Sequence, residues 1–309
     1  MQPLFVAESD PFQSAGNAVT SNPHSKYPAW MIDTPKYSFD DESQPAAVPM
    51  WREALTGLDY VQLKMSPVYY GLGVPRGDGS AVISIPGFMG SDFYLTEFRW
   101  WLSRIGYRAL PSRIGRNVDC IQRSGEKLLA SIDDAYESTR RPVHLVGHSL
   151  GGILARGVAG IIPEKIASVT TLGSPLKAIH AHPAVIGLSE IIRNNIQMQQ
   201  GEEQTNPDCF SGKCSCSVVT QMQQDLPGEI PVRSIFTRTD GVVYWEVCLD
   251  ENPANNMEVS ATHCGLAFSA AAYRGVAGFL KEVSVQQKNR AQSQATSRQN
   301  GAPAIRITA

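Results

Sequence analysis

Pro142-Val143-His144-Leu145-Val146-Gly147-His148-Ser149-Leu150-Gly151-Gly152 decides the fold. Val143, Leu145 and Val146 are apolar, mostly β-forming residues ahead of glycines, so the run starts as a strand. It breaks at Gly147 and resumes as a helix with Ile153, Leu154, Val158 and Ile161 on one side, ended by Pro163. The junction Gly147-His148-Ser149-Leu150-Gly151 reads Gly-x-Ser-x-Gly. A sharp strand-to-helix turn of this kind strains the serine backbone and lifts its Oγ clear of the sheet edge. Glycine is needed two residues to either side, because a Cβ there would meet the neighbouring strand or helix. The helix N-terminus behind the serine adds partial positive charge where an oxyanion would form. The bland alternative is a glycine-rich turn with no chemistry, and the strand before and helix after weigh against it.

Upstream, Ala81-Val82-Ile83-Ser84-Ile85 is a short β-rich run ended by Pro86-Gly87. After Phe88-Met89-Gly90, Ser91 or Asp92 is placed to cap a helix. That helix carries Leu95, Phe98, Leu102 and Ile105 on one face and stops at Gly106. Trp100 and Trp101 beside that face read as packing residues. A short strand is expected over 107–110 and a helix over 118–138, with Ile121, Leu128, Leu129, Ile132 and Tyr136 on one face. Downstream, strands are expected over 165–172, 232–238 and 257–260, and a last helix carries Leu266, Phe268, Ala272, Val276 and Phe279. Strands alternating with helices predict an α/β fold with a mostly parallel, doubly wound sheet covered on both faces. Ligands in such sheets bind beyond the carboxyl ends of the strands, where Ser149 lies.

The alternation fails over 176–228. An interruption this long, entering at a strand's carboxyl end, reads as an inserted cap or lid. Residues 1–50 are rich in Pro, Ser, Asn and Asp and read as a loosely ordered arm, with Trp30, Met31 and Trp51 as docking points. The α/β domain spans 51–282. Residues 283–309 are rich in Gln, Ser, Ala and Arg without an apolar face and read as a disordered tail.

Composition narrows the function classes. A chain of 309 residues with 42% hydrophobic and 18% charged residues is ordinary globular protein. A net charge of −2 gives no electrostatic footprint for nucleic acid. No run of about 18 apolar residues marks a transmembrane segment. The N-terminal residues lack the basic and apolar regions of a secretory signal, so the expectation is a cytoplasmic protein. Six cysteines in a chain this long do not form a disulfide scaffold. Cys209, Cys214 and Cys216 cluster as C-x4-C-x-C. They read as disulfides stapling the insertion, as free thiols, or, with Cys248, as a structural zinc site. No cofactor is called for.

A serine hydroxyl needs a general base within reach, and that base needs an orienting carboxylate. Of the six histidines, His24 is in the arm and His144 is inside a strand. His148 is turned away from its neighbour Ser149 by the turn, and His180 and His182 lie in the insertion. His263 alone follows a late strand and precedes the last helix. Asp240 ends a strand and is followed by Gly241; Asp250 is the reserve.

With these pieces the chain resembles an α/β-hydrolase of the lipase/esterase type. The likeness rests on Ile85-Pro86-Gly87-Phe88-Met89-Gly90, the Ser149 turn, Thr239-Asp240-Gly241-Val242-Val243 and Ser260-Ala261-Thr262-His263-Cys264-Gly265-Leu266. The order Ser149, Asp240, His263 is that of the family. The resemblance implies the backbone N–H groups of Phe88 and Leu150 as an oxyanion hole, with Met89 the alternative to Phe88. Pro86 stands where many members carry His, but a backbone donor does not depend on that side chain. The implied activity is cleavage of small-molecule or lipid esters through an acyl-enzyme on Ser149. An acyltransferase or thioesterase would use the same residues, and a catalytically inactive hydrolase fold would serve as a binding module. The likeness is silent on partner proteins.

Overall fold

The computed structural model of the chain describes residues 50–300 except 177–180, 183, 186, 190, 193, 195–215 and 223. All of the candidate arm (1–50) but Met50, with Trp30 and Met31, most of the insertion, His180, Cys209 and Cys214 therefore lie outside the described residues.

Among the described residues, six strands form one sheet: β1 (Ala81–Ile85), β2 (Arg108–Pro111), β3 (Val143–His148), β4 (Ile166–Leu172), β5 (Val232–Phe236) and β6 (Asn256–Glu258). Their spatial order is β2-β1-β3-β4-β5-β6, and every neighbouring pair is parallel. Ile83 stands opposite Leu110 on one side and Leu145 on the other, so β1 and β3 lie inside the sheet. Their apolar runs follow from this, since an inner parallel strand is buried on both faces.

Side chains alternate between two cores, as the two-residue period of a strand requires. Ala81, Ile83, Ile85, Val143, Leu145 and Val169 face one core, shared with α3 (Ile121–Thr139) and α4 (Leu150–Ile161). Val82, Val146, Leu172 and Ile235 face the other. There they meet α1 (Thr56–Met65), α2 (Thr96–Arg104) and the buried stripe Ala272, Tyr273, Val276, Ala277 and Leu280. His144 is buried in β3, and its Nδ1 lies 2.7 Å from Oγ of Ser168, its register partner on β4.

Four local expectations need correction. Asp92 does not cap α2; its carboxylate crosses to the loop after β2, accepting Ser112 N–H and Oγ–H (both 2.8 Å) and Arg113 N–H (2.9 Å). Trp101 is packing, with Nε1–H donating to Val68 O (2.7 Å), but Trp100 is solvent-exposed. The end of the interrupted stretch is core: α5 (Ser217–Met222) buries Val218, Val219 and Met222 against α3 and α4. Lastly, the C-terminal stretch from residue 283 is not structureless to its end. It continues α6 (Ala270–Asn300), and Val283 and Ser284 are buried. Lys, Arg, Gln and Ala are good helix formers without an apolar stripe, so a missing stripe does not exclude a helix.

Among the described residues no helix is long and apolar enough to cross a membrane.

Candidate active site

Ser149 sits between the last residue of β3 and the first of α4, at φ 52° and ψ −124°. This is a costly conformation for a residue with a Cβ. The turn is tight enough to exclude side chains at its glycines. A Cβ on Gly147 would lie 2.4 Å from Gly151 O, and one on Gly151 would lie 2.4 Å from Ile85 O. The Ser149 N–H donates to Leu172 O (2.8 Å), which fixes the turn to the end of β4.

Asp240 follows β5 and is buried. Its Oδ1 accepts the N–H groups of Val242 (2.8 Å) and Val243 (2.7 Å), a turn that orients the carboxylate. Its Oδ2 is 2.7 Å from Nδ1 of His263, also buried. Nδ1–H therefore donates to the carboxylate, and Nε2 is left as the basic nitrogen. Burial pulls the His263 pKa down, but the Asp240 charge and hydrogen bond outweigh it and hold the pKa above the ordinary histidine value. Leu172 O holds Ser149, and the next residue, Gly173, borders the pair: a Cβ there would lie 3.2 Å from His263 Nδ1 and 3.4 Å from Asp240 Oδ2. The serine and the acid–histidine pair thus share one edge of the sheet. Ser149 Oγ and His263 Nε2 are not hydrogen-bonded among the described residues, a bond that often tightens only with substrate.

His148 has a fixed place beside this pair. Its ring lies 5.0 Å from that of His263, and Nε2–H donates to His263 O (3.0 Å). Burial, with His263 next to it, pushes its pKa down to about 3. It is a neutral strut at neutral pH, not a base. Tyr94 supports the same loop, its hydroxyl donating to Cys264 O (2.6 Å).

The loop after β1 lies against the serine: a Cβ on Gly87 would be 2.9 Å from Ser149 Cβ. Met89, at φ 59°, donates its N–H to Asn117 O (3.0 Å), so this amide is already spent. Buried Asn117 stitches the loop twice more, through N–H to Gly90 O (2.8 Å) and Nδ2–H to Pro86 O (2.8 Å). Sequence reading missed Asn117 and Tyr94. An Asn before a helix looks like any cap, and only the fold shows what it binds.

The reserve carboxylate is engaged elsewhere. Asp250 pairs with Arg156 (3.3 Å) and accepts from Asn252 N–H (3.1 Å) and Asn255 Nδ2–H (2.9 Å). Cys248 is buried in a small core with Phe236, Val243 and Val247. Cys209 and Cys214 lie outside the described residues, so the candidate cysteine group has no described geometry.

The family pattern described as "PGAP1-like alpha/beta domain" matches residues 115–222, from before α3 through α5. A triacylglycerol lipase of Pseudarthrobacter phenanthrenivorans is 32% identical over 103 residues, 30% of this chain and 32% of that protein. A triacylglycerol lipase of Vibrio cholerae serotype O1 is 36% identical over 88 residues, 28% of this chain and 27% of that protein. The match thus spans about a third or less of these relatives. The mature Bacillus licheniformis lipase BlEst2 is 14% identical with a TM-score of 0.46, over 68% of this chain and 94% of that one.

Proposed function

We propose that the chain is an α/β-hydrolase of the lipase/esterase type that cleaves carboxylic esters through an acyl-enzyme on Ser149, a reading supported by its partial likeness to triacylglycerol lipases. The observation that carries this reading is the 2.7 Å Asp240–His263 hydrogen bond at the sheet edge where strained Ser149 stands. Ser149 Oγ attacks the ester carbonyl and His263 Nε2 takes its proton. Asp240 keeps the imidazole in the Nδ1–H tautomer and stabilises the imidazolium. The N–H groups of Phe88 and Leu150 hold the oxyanion, with Met89 N–H committed to Asn117. One such donor typically lowers the barrier by about 2.7–4 kcal/mol. His263 then gives the proton to the leaving alcohol. Water then attacks the acyl-enzyme carbonyl as His263 Nε2 takes its proton, and His263 returns that proton to Ser149 Oγ as the serine–acyl bond breaks and the acid leaves.

The test is turnover of p-nitrophenyl esters of increasing chain length, with fluorophosphonate labelling of the serine. Ser149→Ala should keep the circular dichroism and melting temperature of the wild type within a few degrees. It should lose both turnover and label. Undiminished turnover in that variant removes Ser149 from the mechanism.

A further inference from the structure

The histidine loop is held from outside the strand–helix alternation. Glu53 lies in the 3-10 turn Met50–Leu55, which leads into α1. Its Oε1 accepts the N–H of Gly241 (2.9 Å) and the N–H of His263 (2.9 Å). Its Oε2 accepts the N–H of Cys264 (2.9 Å). One carboxylate therefore bridges the residue after Asp240 and the two residues that carry and follow the imidazole. Two further side chains of the same segment reach the residue before His263. Asp59 Oδ2 accepts Thr262 N–H (3.0 Å) and Oγ1–H (2.9 Å), and Thr56 Oγ1 lies 2.8 Å from Thr262 Oγ1.

The segment is amphipathic with its usual sense inverted. A surface helix ordinarily turns its apolar stripe inward. Here Glu53, Thr56 and Asp59 point at the histidine loop, while Trp51, Leu55, Leu58, Val61 and Met65 are 42–80% exposed. Besides Leu63 and a Tyr60–Phe268 ring contact (5.6 Å), its seating rests on polar bonds: those to the loop and Lys64 to Glu97 (2.9 Å).

We propose that Glu53 is a positioning residue for the proposed hydrolysis: its carboxylate clamps the Asp240 loop to the His263 loop and so fixes where the imidazole stands relative to Ser149. Both oxygens are occupied by backbone N–H groups, so Glu53 is not itself a base. Its negative charge also faces His263, in the same sense as that of Asp240. Two titratable neighbours of the imidazole are shifted away from its range. Burial holds His148 down to about 3, and burial with Glu53 nearby pushes the Cys264 thiol up to about 12. Asp59 meets the loop at Thr262.

The inference rests on the serine-hydrolase reading, and its test keeps the two apart. Glu53→Gln keeps the side-chain shape, removes the charge and sets an amide donor against backbone N–H groups. Glu53→Asp keeps the charge but falls one methylene short of spanning both loops. In Glu53→Gln, kcat should fall by roughly 10- to 100-fold, the scale of a small misplacement of a reacting group. KM should stay within about twofold, because no substrate contact is removed. The acid limb of kcat/KM should move to lower pH. Glu53→Asp should lose kcat with a smaller movement of that limb. Unchanged kcat and acid limb in Glu53→Gln overturn the clamp. So does a variant whose only defect is a lower melting temperature, which marks a merely structural anchor. If the wild type shows neither turnover nor Ser149 label, the hydrolase reading fails. NMR titration of the His263 imidazole then still decides the clamp: an unchanged titration in Glu53→Gln overturns it, and a downward shift supports it.

Discussion

At the scale of single residues, the site is governed by what surrounds two imidazoles five ångströms apart. Both are buried, and burial alone lowers a histidine pKa. His148 has no carboxylate on its ring and drops to about 3. His263 has one on Nδ1 and rises above the usual value. A general base works only when unprotonated, so kcat/KM should rise with pH through a midpoint above about 6.5. A pH series on a soluble ester measures this directly, and a midpoint below 6 would contradict the assignment of His263 as base. The places of Ser149, Asp240 and His263 were legible because each follows a strand at its carboxyl end. Asn117, Tyr94 and Glu53 were not. Their roles depend on which backbone groups the fold brings to them, and residue type carries no such signal.

At the scale of elements, the inner strands and α4 could be read because burial imposes a period on them. Ile153, Leu154 and Val158 lie in the core their spacing called for. At α5 the sequence shows a polar, helix-like segment but not its burial. Six residues with three polar side chains show too little of any period, and the surrounding stretch is polar. Its burial depends on shape: α4 presents Gly157 where a Cβ would lie 2.6 Å from Met222 Cγ, so the two helices meet closely. Met222→Ala should therefore destabilise the protein by about 2–5 kcal/mol, as removal of a packed core side chain does. Urea unfolding measures it. A change below about 0.5 kcal/mol would mean that 217–222 packs loosely against α3 and α4. The shortest strand shows the opposite error. β6 is three residues long, and its expected range began one residue late and ran two residues past its end, into the loop that leads to His263.

At the scale of the whole molecule, stability resides chiefly in the two cores on either face of the sheet. The last buried side chains described on α6 are Val283 and Ser284. Truncation after Lys288 should leave the melting temperature within about 2 °C of the full chain, whereas truncation before Leu280 should abolish cooperative unfolding. A large drop on the shorter deletion would place a further contact surface on the helix end. The clamp at the histidine loop works on a longer range than either core. It joins positions 188 to 211 residues apart in the chain. Contacts so distant in sequence form late, because the intervening chain must already be ordered or must sacrifice its freedom at once. On the ribosome the order is stricter still. The Ser149 turn and its neighbours β1 to β4 emerge while His263 and its loop are yet to be made. Under the proposed mechanism, a chain released before residue 263 carries Ser149 and Glu53 but not the imidazole that both would serve, so the activity would arise only once the histidine loop is made.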